Sequence, residues 1–130
     1  MRLHETELRV RYEETDNMGV VYYANYLVWF EVARTEHLRS LGVSYREIEE
    51  KGGYLMVASA SCKYLAPARY DDIVRVQSWI PEVNNSSLKF EYKLFIGDKL
   101  IATGESVHVF TDKSAKPRRV PQELKELFTS

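Results

Sequence analysis

The chain carries one cysteine, Cys62, and no cysteine or histidine spacing of the kind that holds zinc. An intramolecular disulfide is therefore excluded. Charge of one sign is also missing: 18 Lys and Arg stand against 19 Asp and Glu, a formal net charge of -1. No global field recruits nucleic acid, and an anionic partner must be held by local charge. No apolar run is long and uninterrupted enough to span a bilayer, so stable membrane insertion is not expected. The opening MRLHETELRV lacks the apolar core of a signal peptide, which makes a cytoplasmic location the expectation. Repeats, low-complexity tracts and linkers are absent too. The 130 residues read as one domain, 1–130, large enough to bury roughly two-thirds of its unfolded surface.

A conventional nucleophile cluster is the last absence. The three histidines are scattered, and neither His37 nor His108 makes a recognisable pair with Ser61 or Cys62. What stands in its place is the segment Tyr12–Arg34, YEETDNMGVVYYANYLVWFEVAR. A single carboxylate, Asp16, lies three residues before Gly19. From Val20 to Ala33 twelve of fourteen residues are hydrophobic, Asn25 and Glu31 being the exceptions. Such a segment reads as a helix apolar nearly all round, which belongs inside a structure.

Elsewhere the periodicity is mostly that of strands. His4–Glu13 alternates loosely, with Leu8, Val10 and Tyr12 on one face. The long helix meets a cap at Gly42, and Ser44 with Glu47 marks a short second helix to Lys51, broken by Gly52-Gly53. Tyr54–Leu65 and Asp72–Val83 read as strands. Leu88, Phe90, Tyr92, Leu94 and Ile96 alternate with polar residues, and Gly97-Asp98 turns that strand into Lys99–Asp112. Pro121–Phe128 reads as a terminal helix. Strands in succession after a helix predict an α+β fold with an antiparallel sheet of about five strands wrapped round one long central helix.

Arg9-Val10, Thr15-Asp16, Gly19-Val20-Val21 and Tyr26 resemble the signature of the 4-hydroxybenzoyl-CoA thioesterase family. The run Tyr22-Tyr23-Ala24-Asn25-Tyr26-Leu27, with Glu31 and Ala33-Arg34, is similar to its bacterial branch of Tol–Pal-linked short-chain acyl-CoA thioesterases. One position departs: that branch usually carries His where this chain has Tyr23, whereas 4-hydroxybenzoyl-CoA thioesterases can carry Tyr. The resemblance implies a hotdog fold, a homodimer or homotetramer, and hydrolysis of acyl-CoA. It implies no metal and no cofactor, CoA being part of the substrate. An acyl carrier protein as donor, or a non-catalytic acyl-binding module, are the competing readings.

Thioester hydrolysis needs a group to attack or activate water and a donor for the carbonyl oxygen. Asp16 is the candidate for the first, as nucleophile or general base, since a carboxylate beside an apolar helix is poorly solvated. An Asp before a helix often caps it, but Gly19 and two valines in a first turn fit that reading poorly. Val20 and Val21, placed just before the helix, offer no side-chain cap, so first-turn N–H groups stay free for an oxyanion. The resemblance points to the Tyr23 backbone N–H, a donor typically contributing about 3 kcal/mol. Gly19 lets the turn bring Asp16 close to it. Glu31 either pairs with Arg34 on the helix surface or lines the site, and Asn25 bonds backbone nearby. Lys63 and Arg69, flanking the Pro67 turn, are candidates for the CoA phosphates. So are Lys113, Lys116, Arg118 and Arg119.

Overall fold

The computed structural model describes residues 2–130. Five strands, β1 (His4–Arg9), β2 (Tyr54–Tyr64), β3 (Ile73–Val83), β4 (Ser87–Ile96) and β5 (Lys99–Thr111), form one antiparallel sheet. Their order is β1-β3-β4-β5-β2, which leaves β1 and β2 as the edges. Helices α1 (Asn25–Ser40), α2 (Tyr45–Glu50) and α3 (Gln122–Thr129) complete the fold. The architecture is the α+β hotdog arrangement, a curved sheet around one long helix.

Alternation decides which sheet face meets α1. Val74, Val76, Ser78 and Ile80 of β3 and Leu88, Phe90, Tyr92 and Leu94 of β4 are buried, with their neighbours half-buried or exposed. Onto this face α1 lays Tyr26, Trp29, Phe30, Ala33, His37 and Leu38. Phe30 stacks flat on Tyr92 with ring centroids 4.2 Å apart. It also rests on Gly104, where an added Cβ would meet the Phe30 ring at 2.4 Å and the Ser61 carbonyl at 2.7 Å. Gly104 is required because helix and sheet approach too closely there for any side chain. Ser44 caps α2, accepting the Glu47 N–H at 3.1 Å.

Two expectations are corrected. The apolar run from Val20 is not helical throughout: α1 starts at Asn25, while Val20 and Val21 are extended and bridge to Arg69 and Thr15. β-branched residues suit that short ladder better than a first helical turn. Nor is α1 buried all round, because the sheet covers one side only. Leu27, Val28, Glu31 and Val32 are exposed along the other. No helix among the described residues is long and apolar enough to cross a membrane.

Candidate active site

Asp16 opens a three-residue hairpin loop. Its N–H donates to the Val20 carbonyl at 2.9 Å, and the Gly19 N–H donates to the Asp16 carbonyl at 3.0 Å. Gly19 closes the loop at φ +80°, a conformation glycine adopts without a Cβ penalty. The Asp16 side chain is held as well: Oδ1 accepts the Met18 N–H at 2.9 Å. Oδ2 has no partner among the described residues. The loop is docked on the sheet side by the Val21 N–H, which donates to Ala68 at 2.8 Å.

The start of α1 lies beside it. The N–H groups of Asn25, Tyr26 and Leu27 donate to carbonyls three residues back, at 3.0, 3.3 and 3.2 Å, and that of Tyr22 donates to Glu14 at 2.9 Å. Those of Tyr23 and Ala24 meet no acceptor among the described residues. The helix therefore offers two adjacent donors at its positive end, where charge building on a carbonyl oxygen is favoured. Asp16 and Tyr23 line the same open cleft of ≈ 420 Å³, walled by Tyr26, Tyr64, Leu65 and Pro67. Among the described residues, no serine, cysteine or histidine lines it. A more enclosed cavity of ≈ 130 Å³ between α2 and α3, lined by Ile48, Phe110 and Leu124, is a different feature with no such carboxylate and donor arrangement.

Residues 10–128 match the thioesterase-like superfamily. The chain belongs to that family. It is 38% identical over 119 residues to a putative acyl-CoA thioesterase, YneP, of Bacillus subtilis, covering 90% of this chain and 86% of the relative. It is 34% identical over 119 residues to the acyl-CoA thioester hydrolase YbgC of Escherichia coli, covering 90% and 89%. Among solved structures it is similar to the DHNA-CoA thioesterase of Staphylococcus aureus, with TM-score 0.94, 30% identity, and 99% and 90% of the chains covered. The protein is a thioester hydrolase.

Not every candidate in this thioesterase reaches the cleft. Arg69 is adjacent, its backbone bridging Val20, with its side chain exposed. Lys63 is not: it lies one residue from Tyr64 on β2 and projects from the opposite sheet face, beside Trp79, Lys93 and Thr103. The Glu31–Arg34 pair is absent among the described residues. Arg34 Nε donates to the Tyr45 hydroxyl at 3.2 Å, and Glu31 stays exposed on the uncovered side of α1. The Asn25 amide donates to the Glu14 carbonyl at 2.9 Å, tying the helix start to the chain just before Asp16.

Glu14 had no sequence signal beyond its place among three acids. Its carboxylate is buried, accepting the Trp29 indole N–H at 2.9 Å and the Arg11 N–H at 2.8 Å. Its carbonyl takes both Tyr22 N–H and the Asn25 amide. One residue thus joins the strand end, the Asp16 loop and α1.

Two of the three histidines are buried beside serines. His37 Nδ1 lies 2.9 Å from Ser78 Oγ, and His108 Nε2 lies 2.8 Å from Ser106 Oγ. All four residues are buried. Burial, aided by nearby positive groups, lowers both histidines from 6.5 to about 4. Unfolded chains then bind more protons between about pH 4 and 6.5, so stability is full above pH 6.5 and falls as pH drops through that window. Lowering pH from 7 to 5 should cost on the order of 1–2 kcal/mol per histidine, read as a falling Tm. His108→Gln should flatten that slope; an unchanged slope in the variant would sink the assignment.

Proposed function

We propose that this thioesterase hydrolyses short-chain or aromatic acyl-CoA to free acid and CoA. The observation that carries the reading is one cleft lined by a carboxylate with a free oxygen, by Tyr23, whose backbone N–H meets no acceptor among the described residues, and by an aromatic wall. Asp16 works by one of two balanced routes. As nucleophile it attacks the carbonyl carbon, CoA leaves as thiolate and takes up a proton, and water cleaves the mixed anhydride. As general base it takes a proton from water while the resulting hydroxide attacks, and the thiolate collects the proton on leaving. Either way the carbonyl oxygen gains charge, and the Tyr23 N–H receives it. Names of relatives, YneP and YbgC among them, support acyl-CoA as the donor. Within the family, residues 22–34 favour kinship with the Tol–Pal-linked branch. Arg69, exposed at the cleft edge, is the side chain proposed to meet a CoA phosphate.

The working unit is proposed to be a homodimer or a tetramer built from it. The uncovered side of α1 exposes Leu27, Val28 and Val32, and edge strand β2 runs eleven residues with Met56 and Val57 exposed. Bare apolar helix and a long unpaired edge are both features that chains cover. A second copy would cover both, and Glu31 on that side is proposed to line the partner's cleft. Val28→Asp combined with Val32→Asp should turn dimer into monomer at micromolar concentration in sedimentation velocity; a double variant that sediments as wild type would refute the interface.

The substrate reading is tested by free-thiol release from short, medium, long and aryl acyl-CoAs, beside the same acyl groups on acyl carrier protein. Turnover of at least one CoA ester above its carrier-protein counterpart is the expected result. Preference for the carrier protein would replace the donor, and acyl-CoA binding without release would make the chain a binding module.

A further inference from the structure

Resting on the site proposed above, we infer that Tyr64 is a positioning residue for the oxyanion donors, acting through the Tyr23–Ala24 peptide. Tyr64 stands near the end of β2 and reaches across the cleft to the start of α1. Its hydroxyl donates to the Tyr23 carbonyl at 2.9 Å. That carbonyl belongs to the same peptide unit as the Ala24 N–H, one of the two donors without an acceptor among the described residues.

Two physical consequences follow from that bond. A hydrogen bond to a peptide oxygen draws electron density from the amide and makes its N–H a stronger donor, the cooperative effect seen along hydrogen-bond chains. The bond also fixes the peptide plane at a point where the helix ladder is weak. The Tyr26 N–H holds the same carbonyl, but only at 3.3 Å. A second donor at Ala24, polarised and oriented by Tyr64, would turn a single-pronged oxyanion site into a two-pronged one.

The surroundings of Tyr64 fit this role. Its ring meets Tyr26 edge-on with centroids 4.8 Å apart and Tyr23 edge-on at 6.4 Å, so the aromatic wall fixes the phenol. Burial, with the Cys62 thiol alongside, pushes its hydroxyl up to about 12. The group therefore keeps its proton, and remains a donor, across the whole working pH range. It lines the cleft with Asp16, while the hydroxyl is committed to the backbone.

Tyr64→Phe keeps the ring and removes the bond. Kinetics on the best acyl-CoA should show kcat reduced about tenfold with KM within about twofold, less than the hundredfold or more for deleting an oxyanion donor outright. The spectroscopic readout is the infrared carbonyl stretch of a bound ketone analogue, in which CH2 replaces the thioester sulfur. It should move to higher wavenumber in the variant, because weaker donors polarise the carbonyl less. A merely structural role would alter binding and leave that stretch in place. Unchanged kcat, or an unchanged stretch in a variant that binds the analogue, overturns the inference. Asp16→Asn in the same assay separates the two claims. If it retains full turnover, the underlying site reading fails; if it is inactive while Tyr64→Phe matches wild type, only the role of Tyr64 fails.

Discussion

Asp16→Asn should lower thiol release from the best acyl-CoA at least a hundredfold while leaving Tm within a few degrees. The substitution keeps the shape of the side chain and an amide oxygen able to accept the Met18 N–H, so the loop has no reason to rearrange. What disappears is the charge, and with it both nucleophile and base. The expected loss lies in kcat rather than KM, since the carboxylate acts in the transition state and contributes little to holding CoA. Single turnover in H2(18)O tests the nucleophilic route: label carried into the Asp16 carboxylate marks an anhydride opened by water at the Asp16 carbonyl. Near-wild-type release by the variant would end the assignment of Asp16.

The sheet was legible because its signal is local. The alternation from Val74 to Ile80 and from Leu88 to Leu94 maps directly onto buried and exposed faces. Gly97, at φ +59°, makes the tight turn read from Gly97-Asp98. The start of α1 was not legible, since hydrophobic content is the same whether a valine sits in a helix or in a two-residue bridge. Only the contacts of Val20 with Arg69 and Val21 with Thr15 and Ala68 decide it. The exposed side of α1 is not legible for a related reason: an apolar run reads as buried all round, whereas the sheet covers one side only.

The candidate site was legible in part. Asp16, Gly19 and Tyr23 lie within eight residues, so one loop and one helix start gather them. Tyr64 and Glu14 depend on tertiary geometry, a strand arriving from forty-one residues away and an indole fifteen residues on. Lys63 lies away from the cleft through parity alone. Beside Tyr64 on a strand, it is obliged to point the other way.

Glu14→Ala should give the largest loss of stability among single substitutions near the site. The Trp29 indole N–H is buried with the Glu14 carboxylate as its acceptor, and the Arg11 N–H uses the other oxygen. Truncation strands the indole donor in the core, where an unsatisfied polar group costs about 1–3 kcal/mol, and leaves a cavity besides. A total near 3 kcal/mol corresponds to a Tm lower by about 10 °C for a chain of this size, compared at equal protein concentration. Glu14→Gln retains an amide oxygen for the indole and should lose about a third as much. Calorimetry of the three proteins, with Trp fluorescence following the indole environment, checks the ranking. If Gln and Ala are equally destabilising, the hydrogen bond to Trp29 is not what Glu14 supplies. If neither changes Tm, the junction between the Asp16 loop and α1 is held by backbone contacts from Glu14 alone, through its carbonyl to Tyr22 and Asn25.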